Sequence, residues 1–221
     1  MKIISNINIL LALAFQKPIK YISKNKLRNS MFEIYNIKEN RQNYTLEHVI
    51  PQSLYKKESL YLTRDLHNLF LYPPKVNTHR SNFKYHSDPM FFPDSKLLNE
   101  KGDIVPIQDK TENKYHIKNT SKRIFYPKPC YRGEISRAAM YFCTMYPEYQ
   151  QKIFNEIIDP YTIIYWHHEY KTSDFERYKS KQIMKLQGNP NPFVENPKLL
   201  IPQMEILLNT TFYQFKHYNY D

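Results

Sequence analysis

Cysteine is nearly absent from this chain of 221 residues, which contains only Cys130 and Cys143. Neither lies in a C-x-x-C pair, and two cysteines could form at most one disulfide bond. This excludes the disulfide framework of small secreted proteins and favours a reducing compartment. Glycine is also scarce, with three residues, and no internal repeat or low-complexity block occurs.

Long apolar runs are absent too, and the nearest candidate lies at the N-terminus. Residues 3–15 are mostly apolar, but Ser5, Asn6 and Asn8 interrupt them, and the run is too short to span a membrane. Ala12-Leu13-Ala14 resembles a signal-peptide cleavage site, so a cleaved signal stays open as an alternative. We expect a packed N-terminal helix. The sequence leaves the compartment open and favours an intracellular location over secretion.

Aromatic and basic residues are abundant. Hydrophobic residues make up 41% of the chain, and 20 Tyr and 13 Phe can fill a core, which predicts one domain over residues 1–221. Lys and Arg total 32 against 21 acidic residues, a net charge of +11. A basic face of this kind attracts nucleic acid, acidic lipid or acidic proteins. Composition alone does not separate these partners from a basic protein that binds no nucleic acid.

Alternation and stop signals predict two strands and a helix in the first half. Residues 44–51 (YTLEHVIP) predict a short strand that Pro51 ends, and residues 65–72 predict a second strand. Pro73-Pro74 stop the second strand, and residues 76–83 are predicted to be helical. The predicted order is strand, loop, strand, helix.

The second half predicts a long connection followed by helices. Residues 86–128 are predicted to be irregular, with a turn at Lys101-Gly102-Asp103. Apolar residues then recur with helical spacing, at Ile135, Ala138, Ala139, Phe142 and Tyr146. Further helices are predicted at residues 149–158, 161–170 and 174–186. The fold class is therefore α+β.

Three residues form the candidate chemical site. Hydrolysis of a phosphodiester needs an activated water and a Lewis acid beside the phosphate. A neutral histidine can take the proton of the water near pH 7, and Mg²⁺ takes oxygen ligands. Glu47 and His48 end the first strand and Asn77 opens the helix, with Arg80 one helical turn beyond. Neighbouring strand residues point to opposite faces, so the strand must end or bulge at Glu47-His48.

Five segments of the chain, in order, resemble one nuclease family. They are Leu46–Ser53, Asp65–Leu69, Val76–Phe83, Arg132–Ala138 and Gln187–Val194. The pattern is similar to the endonuclease I family of sugar-non-specific nucleases, which have a ββα-metal (His-Me finger, HNH-like) active site. The resemblance covers about residues 44–197. It implies a ββα-metal core at about residues 44–85, embedded in a mainly helical single domain whose helical C-terminal part covers about residues 132–210.

The resemblance also implies a role for each candidate residue. In the E-H-V-x-P motif of the family the glutamate binds the metal and the histidine is the general base, which places these roles on Glu47 and His48. The asparagine of the V-N-x-x-R-S-N motif is the second protein ligand, which is Asn77 here. The implied cofactor is Mg²⁺, with Mn²⁺ or Ca²⁺ as alternatives.

Nucleic-acid contacts follow from the same resemblance. The match at Arg80 implies a phosphate or scaffold contact. Family members usually carry an arginine between the two strands that stabilises the cleaved phosphate. The loop is shorter here, and Lys56, Lys57 or Arg64 would take that role.

The implied function is a metal-dependent endonuclease that cuts DNA with low sequence specificity, with RNA open as a second substrate. Contacts to the backbone predict strong salt sensitivity. One alternative is a basic nucleic-acid-binding protein that retains the fold without cleavage. Another is a membrane-associated protein tethered through residues 3–15, which explains the charge but not the motifs. We expect no stable membrane association, and the oligomeric state stays open.

Other polar residues have structural interpretations. His67 and Asn68 lie between apolar neighbours, so hydrogen bonding is favoured over metal ligation, with Asn68 as a reserve ligand. For Arg132 and Arg137, a buried ion pair or cap explains the charge at least as well as substrate contact. Residues 187–192 predict a loop whose side chains hydrogen-bond the backbone.

Overall fold

The computed structural model describes residues 20–55, 57–87, 93–106 and 114–215, without the side chains at 24, 57–60 and 208–215. Its helices are α1 (Lys24–Ile34), α2 (Pro74–Arg80), α3 (Pro129–Met145), α4 (Gln150–Glu156), α5 (Pro160–Glu169), α6 (Asp174–Gln187), α7 (Pro192–Glu195) and α8 (Leu200–Phe215). Its strands are β1 (Thr45–His48), β2 (Leu69–Tyr72), β3 (Lys84–Tyr85), β4 (Ser95–Leu98), β5 (Ile104–Val105), β6 (His116–Asn119) and β7 (Ile124–Tyr126). The N-terminal segment at residues 3–15, predicted to be helical, lies outside the described residues.

The first half of the chain forms an antiparallel hairpin followed by a helix. Glu47 pairs with Phe70 and His48 pairs with Leu69 across β1 and β2, and α2 follows β2 almost at once. The predicted order of strand, loop, strand and helix is confirmed. Both strands are shorter than predicted, because β1 ends at His48 and the residues before Leu69 form a 3₁₀ turn.

Both faces of β2 are buried. Leu69 and Leu71 belong to a small apolar cluster with residues of α1 and α6, whereas Phe70 and Tyr72 belong to the main core. Successive strand residues point to opposite faces, so a strand buried on both sides is apolar throughout. The run Leu-Phe-Leu-Tyr therefore fixes the hairpin between two layers of packing.

The expectation that residues 86–128 are irregular is wrong. Five strands form a second sheet in the order β3-β7-β6-β4-β5, in which β3 and β7 are parallel and the other pairs are antiparallel. Each strand is only two to four residues long, too short for a clear period. The predicted turn is confirmed, because Gly102 has a φ of 85° between β4 and β5.

The turn at Gly102 packs directly against the beginning of α2. A Cβ atom at position 102 would lie 2.6 Å from the backbone nitrogen of Val76. Only glycine tolerates both this approach and the left-handed backbone. The second sheet therefore contacts the helix that carries Asn77.

The helical periodicity predicted for the C-terminal half is confirmed by α3 to α6. Caps define two of these helices: the Asp159 side chain accepts from the backbone of Thr162 at the beginning of α5, and Ser173 does the same for Glu176 in α6. Gly188, with a φ of 91°, ends α6. The interpretation of Arg137 as a member of a buried ion pair is confirmed, whereas Arg132 donates to the carbonyl of Pro127 and the hydroxyl of Tyr170. Arg137 forms a buried bidentate pair with Glu176, at 2.6 Å for both contacts.

A buried aspartate anchors the beginning of β2. The Oδ1 atom of Asp65 accepts from the backbone of His67 and from Nε2 of Gln187, both at 3.0 Å. Its Oδ2 atom accepts from the hydroxyls of Tyr141, at 2.9 Å, and Tyr146, at 2.6 Å. One local donor and three donors from two distant segments thus satisfy one fully buried carboxylate.

The loop after α6 completes this network, as predicted for residues 187–192. Gln187 Oε1 accepts from the backbone of Leu66 at 3.0 Å, and Asn191 donates to the carbonyl of Arg137 at 3.2 Å. His67 Nε2 lies 3.0 Å from the carbonyl of Asn189. The loop therefore holds the hairpin and α3 together through backbone hydrogen bonds.

Candidate active site

The hairpin and α2 bring the candidate residues to one region. Asn77 Nδ2 donates to the carbonyl of Leu46 at 3.2 Å, which places the amide one residue from Glu47 and two from His48. Arg80, one turn further along α2, reaches Glu47. The residues of α2 follow those of β1 by about thirty positions in the sequence, and the short helix directly after β2 brings Asn77 and Arg80 back to β1.

Glu47 is a buried carboxylate with an oxygen available for a further partner. Only 4% of the residue is exposed, and its Oε1 atom lies 3.2 Å from Arg80 Nη1 without hydrogen-bond geometry to any described residue. Burial raises the pKa of Glu47 to about 7, although the Arg80 charge and the backbone N–H of His48 act in the opposite direction. A further positive charge near this oxygen would favour the ionised form.

Arg80 is part of the scaffold and is a poor candidate for the nucleic-acid contact expected of it. The residue is 2% exposed, Nη2 donates to the carbonyl of Val49 at 2.5 Å, and Nη1 donates to the carbonyl of Ser81 at 2.9 Å. Its guanidinium also lies 4.6 Å from the centre of the Tyr85 ring. Because these groups enclose it, the guanidinium orients Glu47 and does not face solvent, where a phosphate would lie.

The imidazole of His48 is held at one nitrogen by the backbone. Nε2 lies 2.9 Å from the carbonyl oxygen of Thr63, and a carbonyl can only accept, so Nε2 carries the proton. The Nδ1 atom then carries the lone pair, and the amide nitrogen of Gln52 lies 3.3 Å from Nδ1 and 3.2 Å from Nε2. Burial lowers the pKa of His48, with the Arg80 charge in the same direction and the Thr63 bond opposing. A neutral ring with Nδ1 as a base follows near pH 7.

Sequence reasoning gave no role to Gln52 or Thr63. Gln52 follows His48 by four positions, and the 3₁₀ turn Gln52–Leu54 directly after Pro51 brings its amide back to the ring. The spacing of four residues between His48 and Gln52 is a sequence feature from which this contact could be predicted. Thr63 contributes only a backbone carbonyl, for which its side chain gives no sign.

Four buried polar atoms without a hydrogen bond to the described residues cluster around Glu47. They are Glu47 Oε1, Arg80 Nε and the hydroxyls of Tyr72 and Tyr85. Tyr72 lies on the same face of the hairpin as Glu47, because its strand neighbour Phe70 is the partner of Glu47. Buried polar atoms are rarely left without partners. This concentration around one carboxylate indicates a polar site that accepts an additional group.

The donor set fits a hard divalent cation. No group of three His, Cys, Asp or Glu side chains that could hold a metal occurs among the described residues, so a cage built only of such side chains is absent there. Glu47 and Asn77 offer oxygen ligands, and Mg²⁺ commonly takes one or two protein oxygens and completes its shell with water and phosphate.

The structure describes the side chain of only one of the three basic residues that are candidates for a phosphate contact. Lys56 and the side chain of Lys57 lie outside the described residues. Arg64 is half-buried and adjoins Thr63, whose carbonyl contacts His48. The Arg64 guanidinium makes no ion pair within the described ranges, so it is the candidate that the structure supports.

Asn68 and His67 have structural roles, as the sequence favoured. Asn68 Oδ1 accepts from the backbone N–H of Ile50 at 2.8 Å, and Nδ2 donates to the carbonyl of Ile50 at 3.1 Å and to the Tyr55 hydroxyl at 2.6 Å. These contacts fix the chain just after His48, where β1 ends. Since the amide is fully used, Asn68 is not a reserve metal ligand.

The cysteines and helices bear on the compartment and the membrane. Cys130 and Cys143 are both free, and Cys143 is buried. Among the residues that the structure describes, no helix has the length and apolar character that a membrane span requires.

Named relatives match more than half of the chain. An extracellular deoxyribonuclease of Aeromonas hydrophila is 30% identical over 135 residues, which cover 59% of this chain and 49% of that protein. A periplasmic deoxyribonuclease of the same organism is 31% identical, with 59% and 47% covered. Endonuclease-1 of Buchnera aphidicola is 30% identical over 134 residues, with 59% and 45% covered. The chain thus spans about half the length of these relatives.

The names of these relatives correct one expectation. The preference for an intracellular location rested on few cysteines and a doubtful signal segment. It is wrong, because two relatives are named for the extracellular space and the periplasm.

A family model matches a larger share of the chain than these relatives do. The model described as Endonuclease I matches residues 1–198. The hairpin, α2 and the loop after α6 all lie inside this range. The chain belongs to the endonuclease I family.

Proposed function

We propose that the chain is a metal-dependent endonuclease that hydrolyses the phosphodiester bonds of DNA with low sequence specificity. The observation that carries the proposal is the imidazole of His48, whose Nε2 proton is held by the Thr63 carbonyl, in the residue after Glu47, whose buried Oε1 atom has no hydrogen bond. The charge of Arg80 acts on the pKa of both groups. The deoxyribonuclease names of the relatives support the same substrate.

The hairpin β1–β2 and helix α2 form the ββα-metal core of this proposal. Glu47 and Asn77 would hold one divalent cation, with Mg²⁺ as the expected ion. A cation held there would supply a Lewis acid for the scissile phosphate and for the leaving 3′ oxygen. Arg80 keeps the carboxylate of Glu47 in place through its contacts with Val49 and Ser81.

His48 acts as the general base. Its Nδ1 atom takes a proton from the water that attacks the phosphorus, while the Thr63 carbonyl keeps the ring oriented and the proton on Nε2. The lowered pKa of His48 keeps the base unprotonated at neutral pH. Gln52, 3.3 Å from Nδ1, would exchange its contact for the water.

Backbone contacts explain the expected low specificity. Arg64 is the proposed phosphate contact, since it lies one residue from the carbonyl that positions His48. A protein that contacts phosphates and not base edges discriminates little between sequences. Residues 1–221 act as a single nuclease domain in this proposal, and the relatives favour a secreted or periplasmic site of action.

Nicking of supercoiled plasmid tests the proposal. The wild-type protein should nick the plasmid with Mg²⁺ and lose this activity with a chelator. His48→Ala should abolish nicking at an unchanged melting temperature, whereas His168→Ala, at an exposed position of α5, should cut normally.

Two outcomes would overturn the proposal. Nicking by His48→Ala at the wild-type rate would remove the assigned base. DNA binding by the wild type without any cleavage would favour the non-catalytic binding protein. A parallel assay with single-stranded RNA decides whether RNA is also a substrate.

A further inference from the structure

Two lysines face each other across the second sheet. Lys96 in β4 and Lys118 in β6 are direct partners in the antiparallel register. Side chains at such positions project from the same face with their Cβ atoms about 5 Å apart, and like charges placed there destabilise the sheet. Neither lysine forms an ion pair with a carboxylate among the described residues, so the repulsion between them is not offset by a neighbouring acid.

More positive charge lies beside this pair. The Nζ atom of Lys118 and the Cζ atom of Arg123 each lie 5.1 Å from the centre of the Phe83 ring. Arg123 donates to a neutral partner, Oδ1 of Asn82, at 2.6 Å. We call Lys96, Lys118 and Arg123 the lysine patch; Lys118 and Arg123 lie over the Phe83 ring, and Lys96 is the cross-strand partner of Lys118.

The lysine patch adjoins the helix of the proposed active site. Phe83 follows α2 directly, and α2 carries Asn77 and Arg80. His79 of the same helix is close enough that the charges of Lys118 and Lys96 lower its pKa, after burial as the larger cause. The patch therefore lies next to α2, the helix that also carries Asn77.

We infer that the lysine patch binds phosphates of the DNA backbone that flank the cleavage site. This inference rests on the proposed function, because it extends the same substrate beyond the scissile phosphate. Opposed lysines without an acidic partner lower the stability of the sheet, and a row of phosphates would neutralise that charge and release counterions. The patch thus fixes where the duplex lies relative to His48.

Binding of a short fluorescent DNA duplex to the His48→Ala protein, with chelator present, tests the inference. Because no cleavage or metal is involved, the result does not depend on whether the nuclease proposal holds. Lys96→Gln/Lys118→Gln should weaken binding about tenfold at low salt and reduce the slope of log affinity against log salt by about 2, since each phosphate contact contributes roughly 0.9. The control Lys181→Gln/Lys185→Gln, at exposed positions of α6, should leave the slope unchanged.

Stability separates a binding role from a structural one. Removing a repulsive pair should leave the melting temperature unchanged or raise it, while Lys118→Arg, which keeps the charge, should retain the affinity. If the double variant is less stable, Lys96→Gln alone, at an exposed position, repeats the test. Equal losses of slope for the patch and control pairs would overturn the inference. The inference would also be overturned if the double variant of the lysine patch bound the duplex as well as the wild type but no longer bound phosphatidylserine vesicles. That result would assign the patch to a membrane surface.

Discussion

The guanidinium of Arg80 lies 3.2 Å from the carboxylate of Glu47, and 2% and 5% of the two side chains are exposed. This pair joins α2 to β1 in the region where Asn77 also contacts the strand. A buried ion pair adds little to stability over a matched apolar pair, but loss of one partner leaves the other charge buried and alone.

Arg80→Met should therefore destabilise the fold strongly. The expected loss in the free energy of unfolding is about 3 to 5 kcal/mol, measured by urea denaturation. Lys75→Met is the control, because the Lys75–Asp103 pair is exposed at 69% and 43% of its side chains and should cost far less than the buried pair. Equal stabilities of the two variants would show that the buried pair does not hold α2 on the hairpin.

Cation affinity should depend on DNA. The positive charge of Arg80 offsets that of Glu47, so the free site has little net negative charge and should bind Mn²⁺ or Mg²⁺ weakly. Calorimetric titration of His48→Ala should show tighter Mn²⁺ binding when duplex DNA is present. Asn77→Asp adds one negative charge and should tighten binding to the free protein by about tenfold.

The matched control for the Asn77 variant is Asn155→Asp, which adds the same charge at an exposed position of α4. It should leave Mn²⁺ affinity unchanged. If both aspartate variants bind the cation equally well, Asn77 is not a ligand.

Arg64 should affect cleavage and not folding. Loss of a group that stabilises charge in a transition state commonly lowers kcat by about a hundredfold, and Arg64→Ala should show a loss of that order in plasmid cleavage at an unchanged melting temperature. Arg64→Lys should recover part of the activity. Arg177→Ala, at an exposed position of α6, is the control. Cleavage by Arg64→Ala at the control rate would assign the phosphate contact to another residue.

Acid should unfold the protein through buried histidines. Burial lowers the pKa of His67 to about 4, of His116 to about 3 and of His167 to about 4. Because the pKa in the folded state lies below the unfolded value of 6.5, each histidine contributes stability that is fully present above pH 6.5. This stability is lost as the pH falls towards 4, by about 3 kcal/mol each for His67 and His116 and by less for the partly solvated His167.

Urea denaturation between pH 7 and pH 5 measures this loss. His67→Gln should reduce the pH dependence by close to one proton, or about 1.4 kcal/mol per pH unit. His168→Gln, at an exposed position, should leave it as in the wild type. The same pH dependence in both variants would mean that His67 does not titrate with unfolding.

Local signals sufficed for the hairpin and the helices. Pro51 and Pro73-Pro74 mark the ends of the two strands, and the spacing of apolar residues from Ile135 onward marks α3. These features depend on neighbouring residues along the chain, so the sequence contains them directly. The residue types and positions of Glu47, His48 and Asn77 made them candidates, and the family resemblance gave each of them its expected role.

Features that depend on distant pairing could not be predicted. The second sheet joins strands of two to four residues, and the opposition of Lys96 and Lys118 exists only in its register. The burial of Arg80 also follows from tertiary packing, since an arginine near a helix end is exposed in most contexts. For the same reason the carbonyl of Thr63 could not be identified as the partner of His48.

The four hydrogen bonds of Asp65 determine when, during synthesis of the chain, this carboxylate can be fully satisfied. Two of their donors, Tyr141 and Gln187, leave the ribosome long after the hairpin they secure. A nascent chain that has not yet reached Gln187 has a buried carboxylate without its full set of donors. The carboxylate that anchors the beginning of β2 is therefore fully satisfied only after Gln187 has been synthesised.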